Sequence, residues 1–121
     1  MIGYITLGTN NLKKSEFFYD KLFSTIGIKQ VFKTEKMIAW GKGFDSTMLA
    51  VTIPYNSELA TIGNGCMVAL KVGDEKTVNL MYEKAIELGG ICEGKPGSRG
   101  KNFYGAYFRD LDGNKLNIHC S

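Results

Sequence analysis

The chain has 121 residues, enough for one domain, with 44% hydrophobic and 22% charged residues; that composition excludes a disordered chain and needs no disulfide or metal to fold. Fifteen Lys and Arg against twelve Asp and Glu give a net charge of +3, too small and too scattered for a nucleic-acid footprint. No apolar run approaches the roughly 18 residues of a membrane span, and the opening MIGYITLGTNN has no basic and apolar regions of a secretion signal, so a cytoplasmic protein is expected.

In chain order, Tyr4 to Leu7 read as a strand of large and β-branched residues, and Gly8 to Asn11 as a turn with Asn11 as helix N-cap. From Leu12 to Ile26, Phe18, Leu22, Phe23 and Ile26 recur at helical spacing, and Gly27 stops the helix. Residues 28–33, 36–41 and 47–53 are three short strand-like runs. Segment 54–64, PYNSELATIGN, has no periodicity and reads as a connection. The order then repeats. Residues 66–72 read as a strand, Asp74 as an N-cap and Glu75 to Leu88 as a helix with Val78, Met81, Ala85 and Leu88 on one face, stopped by Gly89 and Gly90. Ile91 begins another strand, 93–102 is a Gly-rich basic loop, and 103–109 and 115–120 are strands joined by a turn at 110–114.

A shift of 63 residues lays Tyr19-Asp20-Lys21 on Tyr82-Glu83-Lys84 and Gly27-Ile28 on Gly90-Ile91. The implied architecture is α+β: two tandem βαβββ modules forming a curved mixed β-sheet around a cavity, with the helices on the outer face. Module one covers about 1–56, a linker about 57–64 and module two about 65–121, within a single domain.

Cys66, Cys92 and Cys120 are odd in number and widely spaced, with no CxxC or Cys/His pattern. We read them as free, partly buried thiols of a reducing compartment rather than as nucleophiles or ligands. Asp110, Asp112 and Asn114 lack the remaining positions of a calcium loop and fit a hairpin turn better. Lys95, Arg99 and Lys101 could make the 93–102 loop a mobile lid for an anionic group, although a solvated connector is the favoured reading.

Residues 102–116, NFYGAYFRDLDGNKL, are similar to the "YYGAFxRDPDGN" ending of the glyoxalase/bleomycin-resistance/dioxygenase (vicinal oxygen chelate) superfamily, with Leu111 in place of the usual Pro. The opening Gly3 to Gly8, with Ser15, Phe18, Tyr19 and Asp20, resembles its first strand and helix. The resemblance implies a divalent metal held by a His on the first strand, a His on the strand opening the second half and a Glu on the final strand. Here those positions hold Tyr4, Met67 and Asn117, none an ordinary ligand for such a metal. No metal or other cofactor is therefore expected.

Alternation from these anchors lines a cavity with Tyr4, Thr6, Met67, Ala69, Asn117 and His119, the only histidine; the resemblance adds Tyr104, and Trp40 is a further wall candidate. The leading expectation is a small-molecule-binding protein, homodimeric by resemblance, that takes an aromatic or amphipathic ligand. The alternative is a lyase or isomerase with an atypical metal site, or acid/base catalysis through His119 and Tyr4. A third reading has the large side chains filling the cavity and leaves an interaction module.

Overall fold

A computed structural model describes residues 1–121, which divide into two compact units, Met1–Ile62 and Gly63–Ser121. Each is a strand–helix–strand–strand–strand unit, so the fold is α+β and built from two tandem βαβββ modules.

The first unit contains β1 (Tyr4–Gly8), α1 (Leu12–Ser24), β2 (Lys29–Lys33), β3 (Met37–Gly41) and β4 (Met48–Thr52). Asn11 caps α1 by accepting the Lys14 backbone N–H at 3.0 Å, and Gly27, at φ +71°, lets the chain leave the helix. The sheet order is β1-β4-β3-β2, with β1 parallel to β4 and the remaining pairs antiparallel. The helix buries Phe18, Tyr19, Leu22 and Phe23. Ile38 and Trp40 of β3 are buried too and pair with Val51 and Leu49 of β4, so these four share one sheet face, with Trp40 packed on Tyr19 and Phe23 of α1. The opposite face carries Ala39, Met48 and Ala50, with Val31, Phe32 and Met37 packed around them. A bulge at Val31 separates the two sets on β2: Gln30 pairs with Trp40 and Phe32 with Ala39.

The second unit contains β5 (Val68–Lys71), α2 (Glu75–Glu87), β6 (Ile91–Ser98), β7 (Tyr104–Arg109) and β8 (Lys115–Cys120) in the order β5-β8-β7-β6. Asp74 caps α2 through the Thr77 N–H at 2.8 Å. The α2 helix buries Val78, Met81 and Ala85. Phe108, Leu116, Ile118 and Ala106, paired across β7 and β8, form the buried sheet face of this unit.

Two boundaries differ from the sequence reading. Met67 precedes β5, which starts at Val68, rather than lying inside the strand. The segment expected as a Gly-rich loop from 93 is strand as far as Ser98. Its Gly and Pro suggest a break, but β6 is the edge of its sheet: Pro96 loses no central ladder bond there, and two register shifts absorb the irregular backbone.

Candidate functional site

The first unit supplies Tyr4 and Thr6. Both lie on β1 and are exposed, Tyr4 to 54%, and they pair with Met48 and Ala50 on the face away from α1. Met67, 45% exposed, and Ala69, also exposed, stand at the start of β5 in the second unit. The 63-residue offset carries Thr6 onto Ala69, and their ladder partners are Ala50 and Asn117. Only the second unit therefore has a polar side chain on its last strand at that level.

Two expected wall residues lie elsewhere. Trp40 is buried on the helix side of its sheet, where its indole N–H donates to Asp20 of α1 at 2.8 Å. Tyr104 likewise faces α2, and its hydroxyl donates to Asn79 Oδ1 at 2.7 Å. The ladder explains the second correction. On β7 Gly105 and Tyr107 pair with His119 and Asn117, while Tyr104 pairs with buried Cys120. Phe103, Gly105 and Tyr107 thus share the face of Asn117 and His119, and Tyr104 alternates to the other side. The 103–105–107 periodicity is readable in the sequence, and it adds Phe103 and Tyr107 to the face that Asn117 and His119 share.

Asn117 and His119 form the most ordered polar pair on this face. Asn117 is 1% exposed, and its Nδ2 donates to the Ala106 carbonyl at 3.1 Å. That bond fixes the amide, so its Oδ1 points to His119 Nδ1 at 2.7 Å. A carbonyl oxygen can only accept, so Nδ1 carries the proton and, in the neutral ring, Nε2 is an acceptor. Phe103 stacks on the imidazole with centroids 4.8 Å apart and planes 14° from parallel. Gly105 makes this packing possible: a Cβ there would lie 3.0 Å from both Asn117 Nδ2 and Phe103 Cε1.

The basic segment is ordered around Tyr107. The Arg99 guanidinium and the Lys115 ammonium each lie 5.6 Å from that ring's centroid, and Arg99 also donates to the Lys95 carbonyl at 2.5 Å. Arg99 makes these contacts while exposed, and residues 99–102, all exposed and outside β6, are a solvated connector as favoured from the sequence. Arg109 pairs with Glu93 at 2.6 Å, which holds the Glu93 carboxyl below the usual carboxylate range. A groove of about 430 Å³ near the start of α2 is lined by Asp74, Glu75, Ser98, Phe103, Tyr104 and Cys120 among others, so Phe103 borders both this groove and the His119 ring. Asp110 accepts the N–H groups of Asp112 and Asn114, each at 2.9 Å, which accounts for the 110–114 turn as a hairpin.

The donor set does not fit a hard divalent cation. Tyr4 would have to ionise, Met67 offers soft sulfur, and the Asn117 oxygen already accepts from His119. No three His, Cys, Asp or Glu side chains stand together as a metal site.

Residues 1–118 match the model of the Glyoxalase/Bleomycin resistance protein/Dioxygenase superfamily. A glyoxalase/bleomycin resistance protein from Albidiferax ferrireducens is 32% identical, with a TM-score of 0.90 over 98% of this chain and 97% of that one. A glyoxalase-related enzyme from Fulvimarina pelagi is 23% identical, with a TM-score of 0.77 over 98% and 86%. The fosfomycin resistance protein FosX from Mesorhizobium loti is 16% identical, with a TM-score of 0.71 over 100% and 92%. These last two share the fold. No curated protein matches the chain.

Proposed function

Since the chain belongs to the glyoxalase/bleomycin resistance/dioxygenase superfamily, we propose that it is a small-molecule-binding protein whose usual metal ligands have been replaced. Its ligand is aromatic or amphipathic and is held on the sheet faces that the helices leave open. The observation that carries this reading is the state of Asn117. At the position where the family resemblance calls for a carboxylate ligand, an amide uses both ends inside the protein, on Ala106 and His119. A side chain so engaged orients its neighbour instead of binding a cation.

On the second unit Met67, Asn117 and His119, with Phe103 and Tyr107, are the side chains offered to a ligand, and on the first unit Tyr4 and Thr6. Aromatic area supplies affinity, and the imidazole and hydroxyl groups supply orientation. In this reading two chains pair as a homodimer and the function is stoichiometric capture. No helix is long and apolar enough to cross a membrane.

The decisive experiment measures metal content by plasma mass spectrometry after incubation with Zn, Ni, Mn and Fe, and follows thermal stabilisation by aromatic ligands with and without chelator. Ligand stabilisation that chelator leaves unchanged supports metal-independent binding. One tightly held metal per chain overturns it.

One observation favours an enzymatic second reading. The His119 tautomer presents an unprotonated Nε2, which is what a general base requires. That reading predicts turnover which His119→Gln abolishes without loss of fold.

A further inference from the structure

We propose that the open face of the second unit selects an anionic planar ligand, a small aromatic carboxylate, whose acid group is held by Lys71 beside His119. The inference rests on the reading of the chain as a small-molecule binder and adds the ligand's charge.

The argument starts from register. In the parallel β5–β8 ladder Lys71 lies directly beside His119, and on the other side of His119 the partner is Gly105, which has no side chain. Lys71 is exposed, as expected for the outward side of β5, and takes part in none of the protein's ion pairs. The imidazole is covered on a ring face by Phe103 and tied at Nδ1 to Asn117. Its remaining hydrogen-bonding atom is Nε2, which is reached in the ring plane. A carboxylate placed there accepts from the Lys71 ammonium, and it accepts from Nε2 as well only when the ring is imidazolium and that nitrogen carries a proton.

Towards Tyr107 the charge beside this pair is one-sided, while Asp74 and Glu75 lie in the groove at the start of α2 that Phe103 also borders. Arg99 and Lys115 lie against Tyr107, whose ladder partner is Asn117. The acid on this side is Glu93, and the Arg109 guanidinium already engages it, with Lys115 adding to the attraction. The surplus is cationic, so a cationic ligand meets repulsion where an anion meets a donor and two further positive charges. Phe103 and Tyr107 provide aromatic surface beside it, which favours a planar body on the ligand over a bare inorganic ion.

The test uses three probes of one shape: benzoate, benzamide and benzylamine, each titrated into the full-length protein. Binding is followed by calorimetry and by the imidazole resonances of His119, which are unambiguous because the chain has one histidine. Benzoate is expected to bind at least about tenfold more tightly than benzamide, the scale of one charge-assisted hydrogen bond, and to shift the His119 signals; benzylamine is expected not to bind. Lys71→Met should remove that tenfold preference by weakening benzoate more than benzamide, and Lys71→Glu should admit benzylamine. Lys71 is exposed, so both variants should fold, which their melting temperatures check. Equal binding of benzoate and benzamide overturns the charge selection while leaving the binding function intact, as does a benzoate preference that survives Lys71→Met. Failure of all three probes overturns this inference and counts against the binding function itself.

Discussion

Trp40 donates its indole N–H to Asp20 at 2.8 Å, joining β3 to α1 across the core of the first unit. Gln30 donates to the same carboxylate oxygen at 3.0 Å, and Tyr19 and Phe23 pack on the indole. Asp20→Ala leaves a buried indole N–H without its acceptor, and is expected to cost about 1–3 kcal/mol in urea unfolding. The same geometry predicts that acrylamide quenches the single tryptophan weakly. A ligand on the open faces should also leave its emission nearly unchanged. Strong quenching on binding would place that ligand on the helix side of the sheet.

What the sequence made legible follows from which features are local. Both N-caps, the helix stops and the order of elements along the chain rest on side chains acting within a few residues, so Asn11, Asp74 and Gly27 could be read directly. Asn117 and His119 share a strand two residues apart, and the strand period alone puts them on one face. Trp40 and Tyr104 were misplaced because a residue's face depends on cross-strand register, which no local pattern contains. The aromatic character that suggested a ligand wall is equally what a helix–sheet core requires. The β6 strand was missed for a related reason: Gly and Pro weaken a strand in general, but an edge position tolerates them.

Glu16 joins α1 to β2 by accepting from Lys33 at 2.9 Å and from Gln30 at 2.8 Å. These bonds to Lys33 and Gln30 hold its carboxyl below the ordinary value of 4.5. A depressed folded-state pKa means stability that is complete above the unfolded value and lost as pH falls through the folded one. Comparing Glu16→Gln with the parent by urea unfolding should show a deficit of up to about 1 kcal/mol near pH 7, since the pair is partly solvated. That deficit should shrink below pH 4.5. A deficit that is constant down to pH 3 would show that the charge of Glu16 contributes nothing.

Tyr82 behaves oppositely. Its hydroxyl hydrogen-bonds to the Cys92 sulfur, and that bond, then burial, then the charge of an ionised Cys92, push its pKa up to about 12 from an ordinary 10.0. The raised value favours the folded state below pH 10, and the advantage is lost as pH rises towards 12. In an alkaline absorbance titration one of the six tyrosines should ionise late. Tyr82→Phe should delete that late step, and Cys92→Ala should move it back towards 10. A late step that persists in Tyr82→Phe belongs to another tyrosine.

Gly105 sets the limits of the Asn117–His119 pair, because a Cβ there meets Asn117 Nδ2 and Phe103 Cε1 at 3.0 Å and the Ile118 carbonyl at 3.1 Å. The backbone oxygen cannot yield easily, so Gly105→Ala should displace Asn117 or Phe103 and cost about 1–3 kcal/mol. Nitrogen NMR of the single imidazole separates the consequences. In the parent's neutral imidazole, Nδ1 should show a protonated signature and Nε2 an unprotonated one. Asn117→Leu removes the acceptor for Nδ1 at similar volume and should let both tautomers populate. Gly105→Ala should produce the same mixing with both members of the pair left unsubstituted. If the parent pattern survives Asn117→Leu, the amide does not fix the proton, and the preparation of Nε2 for a ligand must have another cause.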